Sequence, residues 1–127
     1  MTQEDKDLLL KDLCARLPYG VIVRLDYRDG TIVTREMGIG SLHDMMFDNA
    51  EGKPYLRPMS SMTEEELNEF ILVTETILGV GKNKYTVILS LDATDWLNAH
   101  HFDYRGLIDK DLAIEVTKEN NPYEKEL

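Results

Sequence analysis

The sequence is short of cysteine, of bases and of long apolar runs, and each shortage excludes something. Its one cysteine, Cys14, rules out an intramolecular disulfide. Lys and Arg number 14 against 24 Asp and Glu, a formal net charge of −10. Such a surface repels phosphate backbones, and the bases do not cluster, which disfavours direct nucleic-acid binding. No apolar run approaches the roughly 18 residues that span a bilayer. The amino terminus, Met-Thr-Gln-Glu-Asp-Lys-Asp, is acidic where a signal peptide is basic. A cytoplasmic protein without a membrane association is expected.

Ligand motifs are also missing, so no cofactor and no metal are expected. Gly79-Val-Gly-Lys82-Asn83 has one residue between its glycines where a phosphate loop has four, and an asparagine where a Ser or Thr belongs. Gly38-Ile-Gly40-Ser41 lacks the third glycine and the following helix of a dinucleotide fingerprint. Ser60, Ser61 and Ser90 have no elbow-like setting that would mark a nucleophile.

What remains is a chain of 127 residues, 43% hydrophobic and 30% charged, the profile of one globular domain. Residues 2–17 read as a helix capped by Thr2 and stopped by Pro18. Leu10, Leu13, Cys14 and Leu17 form its apolar stripe, with Cys14 a small buried hydrophobe. Asp7–Lys11 and Asp12–Arg16 fall on its outer side as i,i+4 pairs. Residues 20–37 read as a β-hairpin turning at Arg28-Asp29-Gly30. A two-residue loop would set Arg24 against Arg35, so a three-residue loop pairing Arg24 with Thr34 is preferred.

Ser41–Phe47 fits either a helical turn or a strand, and loops on both sides favour the strand. Residues 48–53 have the composition of a turn, and Pro54–Met59 reads as a short edge piece. Thr63-Glu64-Glu65-Glu66 is a capping box opening a helix to Gly79. Tyr85–Leu91, nearly all apolar or β-branched, suits a buried central strand. Asp92 then caps a helix over 92–102, and Leu112–Val116 adds a last short strand. The expected fold is α+β: a single domain over 1–116, a mostly antiparallel sheet of four to five strands with about three helices packed on it. An acidic tail over 117–127 is expected to be frayed.

Asp92–Ile108 gathers the only tryptophan and two of the three histidines. Adjacent residues on a helix point about 100° apart, so His100 and His101 are poorly set to grip one metal. His100 should pack near Trp96, and His101 near Leu97 with its polar tip wet. Trp96 and Phe102 read as core, whereas Tyr104 and Arg105, beyond the helix, should be exposed. Tyr and Arg dominate binding hot spots, so His101, Asp103, Tyr104 and Arg105 form the candidate binding surface.

The blocks Met1–Val23, Tyr55–Glu66 and Asp95–Ile108 resemble a family of short uncharacterised (hypothetical) proteins of gut anaerobic bacteria, a kind carried on prophages or other mobile elements. The resemblance covers somewhat more than a third of the chain and implies no activity, cofactor or catalytic residue. The leading expectation is therefore a protein-interaction module with an unidentified protein partner. One alternative is a small hydrolase or metal-dependent enzyme using His100, His101 and Asp103 with His43 nearby. Another is an acidic mimic of nucleic acid.

Overall fold

A computed structural model describes residues 2–78 and 91–124. Helix α1 spans Gln3–Arg16, and the Thr2 hydroxyl accepts the Asp5 amide at 3.0 Å. A 3₁₀ turn over Leu17–Tyr19 ends it, with Gly20 at φ 71. Its buried face is Leu9, Asp12, Leu13 and Arg16, not the stripe through Leu10, Cys14 and Leu17. Cys14 is exposed, and the Asp12–Arg16 pair expected outside is wholly buried. The helix is turned because two of its inward positions hold an ion pair rather than apolar side chains.

Strands β1 (Ile22–Tyr27) and β2 (Ile32–Glu36) form the expected hairpin, with Arg24 opposite Thr34. Gly30 sits at φ 91, and its amide donates to Tyr27 O at 3.0 Å. A side chain at that φ is strained, so the glycine bulge sets the three-residue loop and keeps Arg24 clear of Arg35.

The strand expected over Ser41–Phe47 is instead helix α2 (Ile39–Met46). Gly38 enters it in extended backbone, and Ser41 and Met45, four residues apart, turn inward. The Tyr27 hydroxyl donates to Asp44 Oδ2 at 3.0 Å from the neighbouring hairpin. The local pattern permits either element, and packing of one helical face chooses. The helix thus begins inside Gly38-Ile-Gly40-Ser41, at Ile39, and the third glycine is still missing.

The expected turn at 48–53 and edge piece at 54–59 are also corrected. Strand β3 runs over Ala50–Pro58 and is central. It pairs antiparallel with β1, from Val23↔Pro54 to Tyr27↔Ala50. Arg28 N donates to Asn49 O, so alternate pairs such as Arg24↔Lys53 carry the ladder bonds. Pro54 then points its missing N–H away from β1 and removes no bond from that ladder.

Helix α3 covers Glu64–Leu78, and its capping box closes both ways, Thr63 N to Glu66 Oε1 at 3.0 Å and Glu66 N to Thr63 Oγ1 at 3.1 Å. The loop expected at Gly79–Asn83 and the strand expected at 85–91 lie outside the described residues, except that Leu91 begins helix α4 (Leu91–Ala99). Strands β4 (Phe102–Asp103) and β5 (Ile114–Glu115) each pair with β3 in parallel. The fold is a single α+β domain with a five-stranded mixed sheet, its pairings running β2-β1-β3-β4 with β5 also on β3.

The main core joins Leu9 and Leu13 of α1 to Val21, Val23, Leu25 and Leu56 on one face of the sheet. Arg24, Asp26, Thr34 and Glu51 on the other face are exposed. A second cluster holds Trp96, Leu97 and Phe102 against Phe70 of α3. Among the described residues no helix is long and apolar enough to cross a membrane.

Candidate functional site

The run from His100 to Arg105 leaves α4 and enters β4, and most of its polar chemistry is consumed by the fold. Asp103 accepts the Leu107 and Ile108 amides, both at 3.0 Å, and so closes the turn that carries the buried Leu107. Tyr104 donates its hydroxyl to Asn98 Oδ1 at 2.9 Å. Arg105 lies 4.8 Å from the Tyr104 ring centroid and donates to Asp12 Oδ1 at 2.8 Å. Tyr104 and Arg105 are therefore half-buried rather than exposed. The reason is Asp12, whose two buried oxygens each accept from a guanidinium. Its Oδ2 takes Arg16 Nε at 2.7 Å, and Arg16 Nη2 goes on to Phe102 O at 2.7 Å. Charges this deep hold only when paired and hydrogen-bonded, so the loop after α4 folds back over α1 to supply the partners.

His100 and His101 take different roles. His100 stacks on Trp96 as expected, ring centroids 4.0 Å apart, with Nδ1 2.8 Å from Trp96 O. A carbonyl only accepts, so Nδ1 is the donor of this contact. His101, expected near Leu97 with its tip wet, is half-buried with its ring on the groove. It sits at φ 63, lies flat on the Tyr123 ring at 3.8 Å, and has a buried Nδ1 without a partner among the described residues. Burial, then the positive charge of Arg16, His100 and Arg57, pulls its pKa from 6.5 down to about 4. It is neutral at pH 7.

His43 is elsewhere. It stands on α2 with its ring 4.6 Å from Phe47 and its side chain 63% exposed, and it does not line the groove that His100 and His101 share. With Asp103 capping a turn, the trio of the enzyme alternative does not converge. Among the described residues no three His, Cys, Asp or Glu side chains gather as a metal would require.

What converges on His101 is the carboxy-terminal segment. At the end where β1 leaves β3, the next ladder bond would join Ile22 N to Tyr55 O. Tyr123 inserts its hydroxyl there: Ile22 N donates to it at 3.0 Å, and it donates to Tyr55 O at 2.6 Å. Burial pushes the Tyr123 phenol up to about 12. Within the tail expected to be frayed, Tyr123 is thus tied to the sheet, and residues 125–127 lie outside the described residues.

The seated segment forms one wall of an open groove of about 770 Å³. Val116 to Lys118, Asn121, Tyr123 and Glu124 face His100, His101 and the start of α3 across it. Arg57 forms the floor. It binds both oxygens of Glu66 at 2.7 Å and lies 4.1 Å from the Phe102 ring centroid. The Arg57 guanidinium, helped by the Thr63 amide, holds the Glu66 carboxyl at about 2. Ser61 Oγ donates to Pro58 O at 2.7 Å and so is not poised as a nucleophile. The groove is open, and its walls mix polar side chains with the flat rings of His101 and Tyr123.

Sequence reasoning missed Tyr123, Arg57 and the burial of the Asp12–Arg16 pair. A lone ring in a polar tail, Asn-Pro-Tyr-Glu, was the available signal for the first. The spacing Leu9-Asp12-Leu13-Arg16 was the signal for the last. Comparison with family models, with curated proteins and with solved structures finds no match to this chain.

Proposed function

We propose that this protein is a small cytoplasmic interaction module that holds an extended segment of a protein partner in the groove between α3, α4 and the carboxy-terminal segment. Carriage on a mobile element fits this reading through the sequence resemblance alone. One observation carries it: beside that groove the molecule already docks a segment of its own chain on the sheet, through Tyr123. The binding surface is accordingly centred on His100 and His101, with Lys118 on the opposite wall, and not on Asp103, Tyr104 and Arg105. A net charge of −10 favours encounter with a basic partner.

The acidic-mimic alternative draws little from the open face of the sheet. There the acids Asp26 and Glu51 pair across strands directly beside the bases Arg24 and Lys53, which breaks any phosphate-like row.

A random-peptide display selection against the whole chain tests the reading. Enriched peptides should bind wild type and lose about tenfold or more in affinity with His100→Ala, as for truncation at a binding hot spot. Arg35→Ala, on β2, should leave binding unchanged. Recovery of no peptide beyond those taken by an unrelated acidic protein would sink the reading.

A further inference from the structure

We infer that the opening between β1 and β3 is a tyrosine-reading slot, that Tyr123 is its occupant in cis, and that a tyrosine presented by a partner's extended segment takes the same place. This inference rests on the reading of the groove as a segment-binding site and names what that site selects.

The slot has three fixed features. It has one donor, Ile22 N–H, one acceptor, Tyr55 C=O, and one flat platform, the His101 ring. The donor and acceptor need a single group that accepts and donates at once. The platform needs a planar ring 3.8 Å away and nearly parallel, at 9°. Among side chains only tyrosine carries a hydroxyl at the tip of such a ring. Serine and threonine lack the ring, and phenylalanine lacks the hydroxyl and would leave both backbone groups unpaired. A site built to hydrogen-bond a hydroxyl rejects the analogue without it far more strongly than a hydrophobic pocket rejects a missing methylene.

β1 and β3 exchange a direct ladder bond for two bonds through an outside hydroxyl, and the platform beside it is the costly part. His101 is held at φ 63, a left-handed conformation that L residues adopt at a cost, and its Nδ1 is buried without a partner among the described residues. Strain and an unpaired polar atom at one residue beside an open groove mark a functional position more often than a framework one.

The occupant is lightly held. Lys118, Glu119, Asn120 and Glu124 are exposed. Among the described residues the other hydrogen bonds of 117–124 are internal, Thr117 with Asn120 and Tyr123 N with Asn121 Oδ1. Tyr123 therefore fastens the segment to the sheet at one point. A single-point attachment opens locally without unfolding the domain. A cis occupant acts at an effective concentration on the order of millimolar, so it masks the slot against weak or wrong partners.

The test uses the full chain carrying Tyr123→Ala, and a synthetic peptide of residues 117–127 as the probe. Binding is followed by the amide resonances of Ile22 and Arg57. The peptide should saturate the variant and shift both signals. Its Tyr→Phe form should bind at least about tenfold more weakly, and wild type should bind at least about tenfold more weakly than the variant because its slot is filled. Equal binding of the tyrosine and phenylalanine peptides without a shift at Ile22 overturns the slot and leaves the groove reading standing. No binding by a folded variant overturns the slot too, while the display selection judges the groove separately. A variant that does not fold also overturns it, since a segment required for folding is no removable ligand. In wild type, hydrogen exchange at Ile22 should run at least about tenfold faster than at Arg24, the next β1 residue facing β3. Equal exchange at the two sites would show that the segment does not open and would end the proposal.

Discussion

Asp12 is the side chain on which the functional end of the molecule depends, although it touches nothing in the groove. It is fully buried, and its two oxygens accept from Arg16 and Arg105. Arg16 then holds the Phe102 carbonyl, beside the backbone from which His101 is presented. Removing Asp12 leaves the buried Arg16 charge uncompensated, and breaking such a pair costs about 3–5 kcal/mol. Asp12→Ala should therefore lower the urea midpoint sharply. Asp7→Ala, which loses one exposed bond from Gln3, should stay within about ±0.5 kcal/mol. Equal small effects from the two would show that the network contributes nothing. The sequence displayed Asp12 and Arg16 as an i,i+4 pair, and the pairing was legible. Its burial was not, because a helical wheel built on apolar residues puts charges outside by construction.

At the scale of elements, the contact that seats α2 on the sheet runs through one glycine. A Cβ at Gly52 would lie 2.5 Å from Met45 Sδ and 3.1 Å from Leu25 Cδ2. The methionine end is flexible, so Gly52→Ala should cost about 1–3 kcal/mol as overpacking rather than abolish the fold. Met45→Ala opens the same space and costs about 2–5 kcal/mol alone. In the double variant the new methyl occupies part of that space, so its loss should fall short of the sum by at least about 0.5 kcal/mol in thermal or urea unfolding. Strict additivity would mean that the two residues do not share the contact. The same contact explains why α2 was misread. Leu42, Met46 and Phe47 fit either period, and only Met45 meeting Gly52 and Tyr27 meeting Asp44 select the helix. Elements with chemical punctuation were readable: the glycine-bulge hairpin, the Thr63–Glu66 box and the Thr2 cap. β3 was not, because Pro54 reads as an edge signal until its position opposite Val23 is known.

For the whole molecule, one α+β domain was legible from length, composition and capping, whereas the site was not, since it is assembled from residues as far apart as Ile22, Tyr55, His101 and Tyr123. Three of the groups that shape it, His101, Glu66 and Tyr123, should also write the pH profile of stability. His101 has a folded pKa of about 4 against 6.5, so the unfolded chain binds its proton first. Its contribution is complete above pH 6.5 and drains between 6.5 and 4 as the unfolded form is protonated and the folded form resists. The shift corresponds to a few kcal/mol at 1.36 per unit, which solvent access to the ring trims to about 1–2 kcal/mol. Glu66, at about 2 against 4.5, holds its contribution above pH 4.5 and loses it from 4.5 to 2. Tyr123 has the opposite sign: raised from 10.0 to about 12, it stabilises fully below pH 10 and ceases to between 10 and 12. The unfolding free energy from urea titrations should therefore be flat between about pH 7 and 10 as far as these groups set it, and fall on both sides. His101→Gln should flatten the descent between pH 6.5 and 4 without touching the alkaline limb. Tyr123→Phe should do the reverse. A His101→Gln profile that parallels wild type from pH 6.5 to 4 would mean that the imidazole is not held neutral between Arg16, Arg57, His100 and the Tyr123 ring.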